Sequence, residues 1–329
     1  VAIDVDLMRL LRAVSEAGSI SAAARRLGIS QPAASQQLRR GERSIGTALV
    51  ERIGRTSRLT DPGRVLARHA VGVENLLAAA ESEVLAVAGL AAGTVRLVAF
   101  PSASARLVPR ALALLRREHP DLQVSLSEVE PPGSLERLRD GAAEIVVTFD
   151  YVVPGHSVPA ALDGLVVVPL LADQVRLAVP TSSRWSGGDP VAVAQLAHED
   201  WIAGCPRCRG HLVALAAAAG YVPRIRYETD DYVAVLGLVG EGLGVALLPS
   251  LAEVHDVVPG VTTVPLSPAE RRDVVAVTTH DLARVPSVAA VLDVLRVTAA
   301  TSGRASRGRA SRGRVSRARA GLEISPGGV

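Results

Sequence analysis

The sequence predicts an α/β protein in three parts: a small helix-rich head with a winged helix-turn-helix pattern, a long connecting helix, and a larger α/β body. Three observations predict it. Residues 1–60 hold short helical apolar patterns punctuated by capping residues and glycines, and residues 64–90 hold one long helical stripe. From residue 93 onward, apolar strands alternate with helices. A chain of 329 residues is long enough for two or three domains, each with its own core. Aromatic residues make up only 2%, so those cores must be built from Leu, Val, Ile and Ala.

Charge is segregated along the chain, and every basic residue is arginine. Residues 1–63 carry ten Arg against six acids, residues 64–300 nineteen against twenty-six, and residues 301–329 seven against one. A basic head on an acidic body is the layout expected if the head meets a polyanion and the body does not. Two cysteines cannot form a disulfide framework and point to a reducing compartment. The stretch VPSVAAVLDVLRVTAA comes nearest to a membrane span, but Asp293 and Arg296 interrupt it. No basic-then-apolar leader opens the sequence, so no membrane partner and a cytoplasmic location are expected.

In the head, Leu7, Leu10, Leu11 and Val14 recur at helical spacing after Asp4, a candidate N-cap, and Gly18 marks the end. A second helix is expected from Ser21, with Ala22, Ala23, Ala24 and Leu27 as a thin apolar face. Gly28 supplies the left-handed residue that ends it, and Ile29 plugs the turn. Ser30 can cap a third helix, and Pro32 falls in that helix's first turn, where its missing N–H breaks no bond. Two short helices joined by about four residues form a helix-turn-helix. The second such helix lies in the DNA major groove with its N-terminal residues on base edges. Gln31, Ser35 and Gln36 are placed to read those edges, and glutamine can pair bidentately with adenine. Pro32 and Ala33 offer apolar contact to thymine methyls, while Arg39 and Arg40 suit phosphates. TALVERIGRTSRLT, residues 47–60, reads as two strands around an Arg-rich turn, a wing offering Arg52, Arg55 and Arg58 to the DNA backbone.

Taken together, SISAAARRLGISQPAASQQLRRGERSIGTALVERIGRTSRLTDPGR resembles the N-terminal domain of LysR-type transcriptional regulators. The shared features are a Ser-x-x-Ala-Ala start to the second helix, Ser-Gln-Pro-Ala at the recognition helix, an Arg after a short strand, and Leu-Thr-x-x-Gly. Two positions depart from the family pattern. Gly41 stands where the family usually has leucine, which should loosen the recognition helix end by about 1 kcal/mol. Val50 replaces the usual phenylalanine and leaves a smaller plug under the wing.

The stripe Val65, Leu66, Val73, Leu76, Leu77, Val84 and Leu85 fits a helix over residues 63–91. The resemblance implies that this linker pairs two protomers into a homodimer, with tetramers as a further option. Two recognition helices would then lie about one DNA turn apart. In the body, GTVRLVAF reads as a strand, ARLVPRALALLRREHP as a helix, LQVSLSEVE as a strand, SLERLRDG as a short helix and EIVVTF as a strand. RLAVP, WIAG, a helix after Arg209, RIRYET, a helix from Asp230 and VALLPS follow. This alternation argues for parallel sheets with helical crossovers.

The resemblance further implies an effector-binding domain over residues 92–300, divided into two subdomains with a small-molecule cleft between them. Subdomain I would hold residues 93–168 and 272–300, and subdomain II residues 169–271. Ser102 matches the family's effector-contacting Ser/Thr position, with Ser104 near enough to assist. Free amides beside a hydroxyl would suit a carboxylate. Thr148, Phe149, Ala203 and Gly204, at strand ends, would face the same cleft. A plainer role for Ser102, capping a helix, stands beside this one.

Cys205-Pro-Arg-Cys208 leaves three readings open: thiols lining the cleft, a redox pair, or half of a metal site completed by His211 and His198. The metal-free reading expects no cofactor other than the effector. The tail from residue 301, rich in Arg, Ser and Gly, should be disordered and could add nonspecific DNA affinity. No phosphate loop, nucleophile elbow or paired-histidine motif points to catalysis, so no enzyme is expected. The function implied is a DNA-binding regulator controlled by a small molecule, with double-stranded DNA and RNA polymerase as partners. The alternative is a redox- or metal-responsive regulator sensing through Cys205 and Cys208.

Overall fold

The computed structural model describes residues 3–53, 56–87, 94–151, 162–253 and 258–301. It forms two compact units that separate near residue 90, each with its own core.

The head follows from its local caps. Asp4 accepts from the Asp6 amide at 2.9 Å and opens α1, Val5–Ala17, which stops at Gly18 with φ 69°. The Ser19 hydroxyl accepts from Ala22 N and opens α2, Ile20–Arg26. The second helix therefore begins before Ser21, the expected start, because Ser19 holds the extended backbone that a cap requires. Gly28, at φ 68°, turns the chain into α3, Gln31–Ile45, whose cap is Ser30 accepting from Ala33 N at 3.3 Å. Leu7, Leu10, Leu11, Val14, Ala23, Ala34, Leu38, Leu49 and Leu59 close the core, with Ile29 and Val50 packed at its edge. Strands β1 (Val50–Ile53) and β2 (Thr56–Leu59) pair antiparallel as the wing.

α3 runs four residues past Gly41 to the left-handed cap Gly46. A Cβ at Gly41 would stand 2.3 Å from Leu7 Cδ2, so Leu7 of α1 already fills the space a larger residue would take. Gly41→Leu is therefore expected to cost about 1–3 kcal/mol through overpacking. Leu7→Ala in the same chain should recover most of that cost. Urea titration of the four members of this cycle checks it: equal Gly41→Leu costs in both backgrounds would show that the two side chains do not share the space.

Helix α4, Asp61–Val87, continues from the wing. Glu74 on α4 accepts from Arg9 at 3.0 Å and from Arg12 at 2.8 Å, and Leu66 packs on the head core. Val65, Leu76, Leu77 and Val84 remain exposed, an apolar stripe that the head does not cover. The Leu85 side chain lies outside the described residues.

The body is one mixed sheet and a separate strand pair. Its elements are β3 (Thr94–Ala99), α5 (Pro101–Arg106), α6 (Val108–Glu118), β4 (Gln123–Glu128), α7 (Gly133–Arg139), β5 (Ile145–Tyr151) and β6 (Val166–Pro180). There follow β7 (Val191–Ala192), β8 (Asp200–Ala203), α8 (Pro206–Ala218), β9 (Arg224–Glu228), α9 (Tyr232–Gly240), β10 (Ala246–Pro249), β11 (Val261–Thr278) and a helix over 286–301. The sheet order is β10-β6-β11-β5-β3-β4. β3 runs parallel to β4 and β5, and β8 parallel to β9, as the alternation predicts. β11, however, is antiparallel to both β5 and β6, and β10 is antiparallel to β6. The all-parallel expectation therefore fails for half of the main sheet, because two strands of 15 and 18 residues run side by side through its full length.

Those two strands divide the body. Residues 166–172 of β6 pair with β11 beside β5, whereas residues 175–180 pair with the first half of β11 and with β10. The halves meet where Asp173 stands opposite Arg272. The change of partners falls at Asp173 on β6 and at Arg272 on β11.

Candidate functional sites: a nucleic-acid face and a buried arginine centre

On α3 the N-terminal turn points outward. Gln31, Pro32, Ala33, Gln36, Arg39 and Arg40 are exposed, as is the capping Ser30. Ser35 is not: at 8% exposure it belongs to the inner face with Ala34 and Leu38, and its hydroxyl accepts from Gln31 Nε2 at 2.9 Å. Ser35 therefore corrects the expectation of a free base-reading hydroxyl. Helical geometry turns position 35 toward the core and leaves it to steady the glutamine one turn earlier. Arg58 is exposed on β2; the Arg52 side chain and all of Arg55 lie outside the described residues. Glu42 was not legible as a functional residue. Its carboxylate accepts from Leu49 N at 2.9 Å and Val50 N at 3.3 Å, fixing the wing to the recognition helix.

In the body, the centre is Arg272, fully buried at the crossing of β6 and β11. Its Nε donates to Asp173 Oδ2 at 2.9 Å and its Nη2 to Ser102 Oγ at 2.7 Å. The guanidinium lies 4.3 Å from the Phe149 ring centre and 4.9 Å from that of Phe100. Burial works against its charge, but Asp173, with Tyr232, Tyr151 and Cys208, more than offsets it, so the arginine is held protonated more firmly than usual. Burial pushes the Asp173 carboxyl up, and Arg272 opposes that shift. Among the described residues Arg272 Nη1 has no partner although it is buried, an unsatisfied donor that costs stability unless something pairs with it.

The expected effector residues distribute unevenly around this centre. Ser102 is buried and bonded to Arg272; the cap of α5 is Phe100, without a side-chain bond, so Ser102 is not acting as the cap. The Ser104 hydroxyl is buried without a partner among the described residues. Phe149 faces Arg272, Phe100 and Tyr151. Thr148, its neighbour on β5, points to the opposite sheet face, buried and with its hydroxyl unbonded among the described residues. Alternation along a strand forbids both from facing one cleft, which corrects the pairing of Thr148 with Phe149. Ala203 is buried at the end of β8, Gly204 follows it, and Cys205 caps α8, which begins at Pro206 rather than after Arg209. Two residues were missed. Arg207 donates to the Phe149 carbonyl at 2.6 Å, and Arg106 donates to the Glu253 carbonyl, each bond joining the two halves of the body. Both are non-local contacts that local patterning cannot reveal.

His211 stacks on Tyr151 with ring centres 3.7 Å apart, and its Nε2 lies 3.4 Å from Glu270. Burial pushes its pKa down to about 4, so it is neutral near pH 7. Among the described residues no three His, Cys, Asp or Glu side chains gather as a metal site, and no helix is long and apolar enough to cross a membrane.

A capped, outward-facing recognition helix with a wing, followed by a two-part α/β domain around a buried polar centre, defines a DNA-binding regulator with a ligand-binding domain. Residues 5–64 match the bacterial regulatory helix-turn-helix protein family of the lysR type, and residues 88–300 match the LysR substrate binding domain. The chain belongs to the LysR family and is a LysR-type transcriptional regulator. It is 29% identical over 306 residues to the probable HTH-type transcriptional regulator LrrA of Synechococcus elongatus, covering 90% of this chain and 97% of that protein. It is 30% identical over 303 residues to the HTH-type transcriptional regulator TfdS of Cupriavidus pinatubonensis, covering 88% and 96%. Its fold is similar to that of a full-length OxyR variant from Pseudomonas aeruginosa, with TM-score 0.66, 19% identity and coverage of 90% and 95%. It is also similar to CbnR solved with its target DNA, with TM-score 0.56, 23% identity and coverage of 90% and 100%.

Proposed function

We propose that this regulator reads its operator through Gln31 and Gln36, with Pro32 and Ala33 against thymine methyls and Arg39, Arg40, Arg52, Arg55 and Arg58 on the DNA backbone. It acts as a homodimer joined through the α4 stripe, in the cytoplasm, where RNA polymerase is its partner in transcription. The exposed Val65, Leu76, Leu77 and Val84 support the dimer, since no head residue covers them.

Control comes from a small carboxylate bound beside Arg272, with Ser102, Ser104, Phe149 and the Ala203-Gly204-Cys205 turn around it. No cofactor besides this effector is needed. The observation that carries the reading is Arg272 Nη1, unpaired among the described residues, a buried cationic donor for which an anion is the natural partner. To change DNA binding, the effector must bind two arrangements of the protein unequally.

A thermal-shift panel of small carboxylates tests this. A ligand present at about 100 times its Kd adds about 2.7 kcal/mol, a rise of several degrees for a domain of this size. The matching amides should give no rise. Equal shifts from a carboxylate and its amide would remove the arginine from the recognition.

A further inference from the structure

Cys205 and Cys208 bracket the first turn of α8, and the DNA-and-effector reading does not use their chemistry. Cys205 is the N-cap, its sulfur accepting from Cys208 N at 3.4 Å, and the two sulfurs lie 3.0 Å apart. Cys205 is buried, while Cys208 is half-buried. The spacing decides between a metal and a disulfide. Two thiolates on one tetrahedral zinc, with Zn–S about 2.3 Å, sit about 3.8 Å apart; the Glu130 carboxyl lies beside Cys205, but among the described residues no three His, Cys, Asp or Glu side chains gather as a metal site. A disulfide requires about 2.05 Å, a closure of about 1 Å from the observed pair.

We propose that Cys208 and Cys205 are an attacking and a resolving thiol, converted by hydroperoxides into a Cys205–Cys208 disulfide and restored by dithiols. The surroundings assign the two roles. The Cys205 S–H donates to Cys208, which brings the Cys208 thiol down to about 6 against the opposing effect of burial; Tyr151 and Arg272 also favour its thiolate. The bond to Cys208 and burial push Cys205 upward, so Cys205 keeps its proton. A helix N-terminus adds to the stabilisation of a thiolate there.

In the first step the Cys208 thiolate attacks one peroxide oxygen. An S–O bond forms, the O–O bond breaks, and the departing alkoxide or hydroxide takes a proton from water. The product is a sulfenic acid, in which sulfur has lost two electrons to the peroxide. With the thiolate gone, the main influence holding Cys205 protonated is gone too. Its sulfur then attacks Cys208 Sγ, the S–S bond forms, the S–O bond breaks, and hydroxide leaves with the Cys205 proton as water. Two equivalents of thiol on an external dithiol reverse the change by exchange. Oxidation also replaces a negative sulfur facing Arg272 with a neutral one.

The test uses the reduced full-length chain and hydrogen peroxide, and it is independent of any effector. Intact mass should fall by two hydrogens, both thiols should become closed to N-ethylmaleimide, and dithiothreitol should restore them. Cys205→Ser should stop at a dimedone-trappable sulfenic acid on Cys208, and Cys208→Ser should leave Cys205 unchanged at the same dose. A measurement on the unaltered protein guards against variants that misfold. At pH 6, iodoacetamide should label Cys208 about tenfold faster than free cysteine, the gain in thiolate outweighing the loss in nucleophilicity. Cys205 should label later. Oxidation of Cys208→Ser at the unaltered rate, a persistent dithiol under peroxide, or labelling of Cys205 first would each overturn the proposal.

Discussion

Arg272→Ala should lower the melting temperature of the body by about 10 °C, corresponding to roughly 3–5 kcal/mol. The substitution leaves Asp173 at 3% exposure with its charge partner gone, its remaining bond being the Leu251 amide at 3.0 Å. It also strips Ser102 of its donor and opens a cavity against Phe100 and Phe149. The loss measures an unpaired buried carboxylate, not a large intrinsic benefit of the ion pair. Replacing such a pair by apolar residues of similar volume is often neutral or better. Arg272→Met combined with Asp173→Leu should therefore melt near the unaltered protein, while losing the carboxylate preference expected of the site. Calorimetry on the three chains checks both halves. A melting temperature for Arg272→Ala within about 1 °C of the original would mean that the centre is not an energetic keystone of the body.

What could be read from the sequence follows the range of the interactions involved. Asp4, Ser30, Gly18, Gly28 and Pro32 act on backbone groups within about four residues of themselves, so their types and spacing suffice to place three helices and a turn. The wing was legible for the same reason, since its two strands are adjacent. β6 and β11 were not. Only RLAVP within Val166–Pro180 reads as strand, because Asp173 interrupts the apolar pattern, and that aspartate makes sense only with Arg272, 99 residues away. The buried centre stayed hidden in consequence: Arg272 sits in a run, Glu270-Arg271-Arg272-Asp273, that looks like solvated surface. Ser102 was found by position, yet its partner could not be. Gly41 shows the same limit, since the Leu7 side chain that fills the space beside it comes from another helix.

Gln31→Ala should weaken binding to the regulator's own upstream DNA by about 1–3 kcal/mol, roughly 5- to 150-fold, without lowering the stability of the head. Gln31 is exposed at the first turn of a capped helix, so its substitution removes the proposed base contact and little packing. Arg39→Ala should behave differently, reducing affinity for specific and random duplexes alike and lowering the salt slope by about one. The structure adds a third member to the series. Because Ser35 accepts from Gln31 Nε2, it would act on DNA through that amide: held in one rotamer, the glutamine would lose less freedom on binding. Ser35→Ala should then weaken specific binding less than Gln31→Ala, and the double variant should bind like Gln31→Ala alone. Gel shifts across a salt series, with random duplex as reference, separate these outcomes. Independent, additive losses at positions 31 and 35 would return Ser35 to a direct base contact. Unchanged discrimination in Gln31→Ala would remove the recognition helix assignment itself.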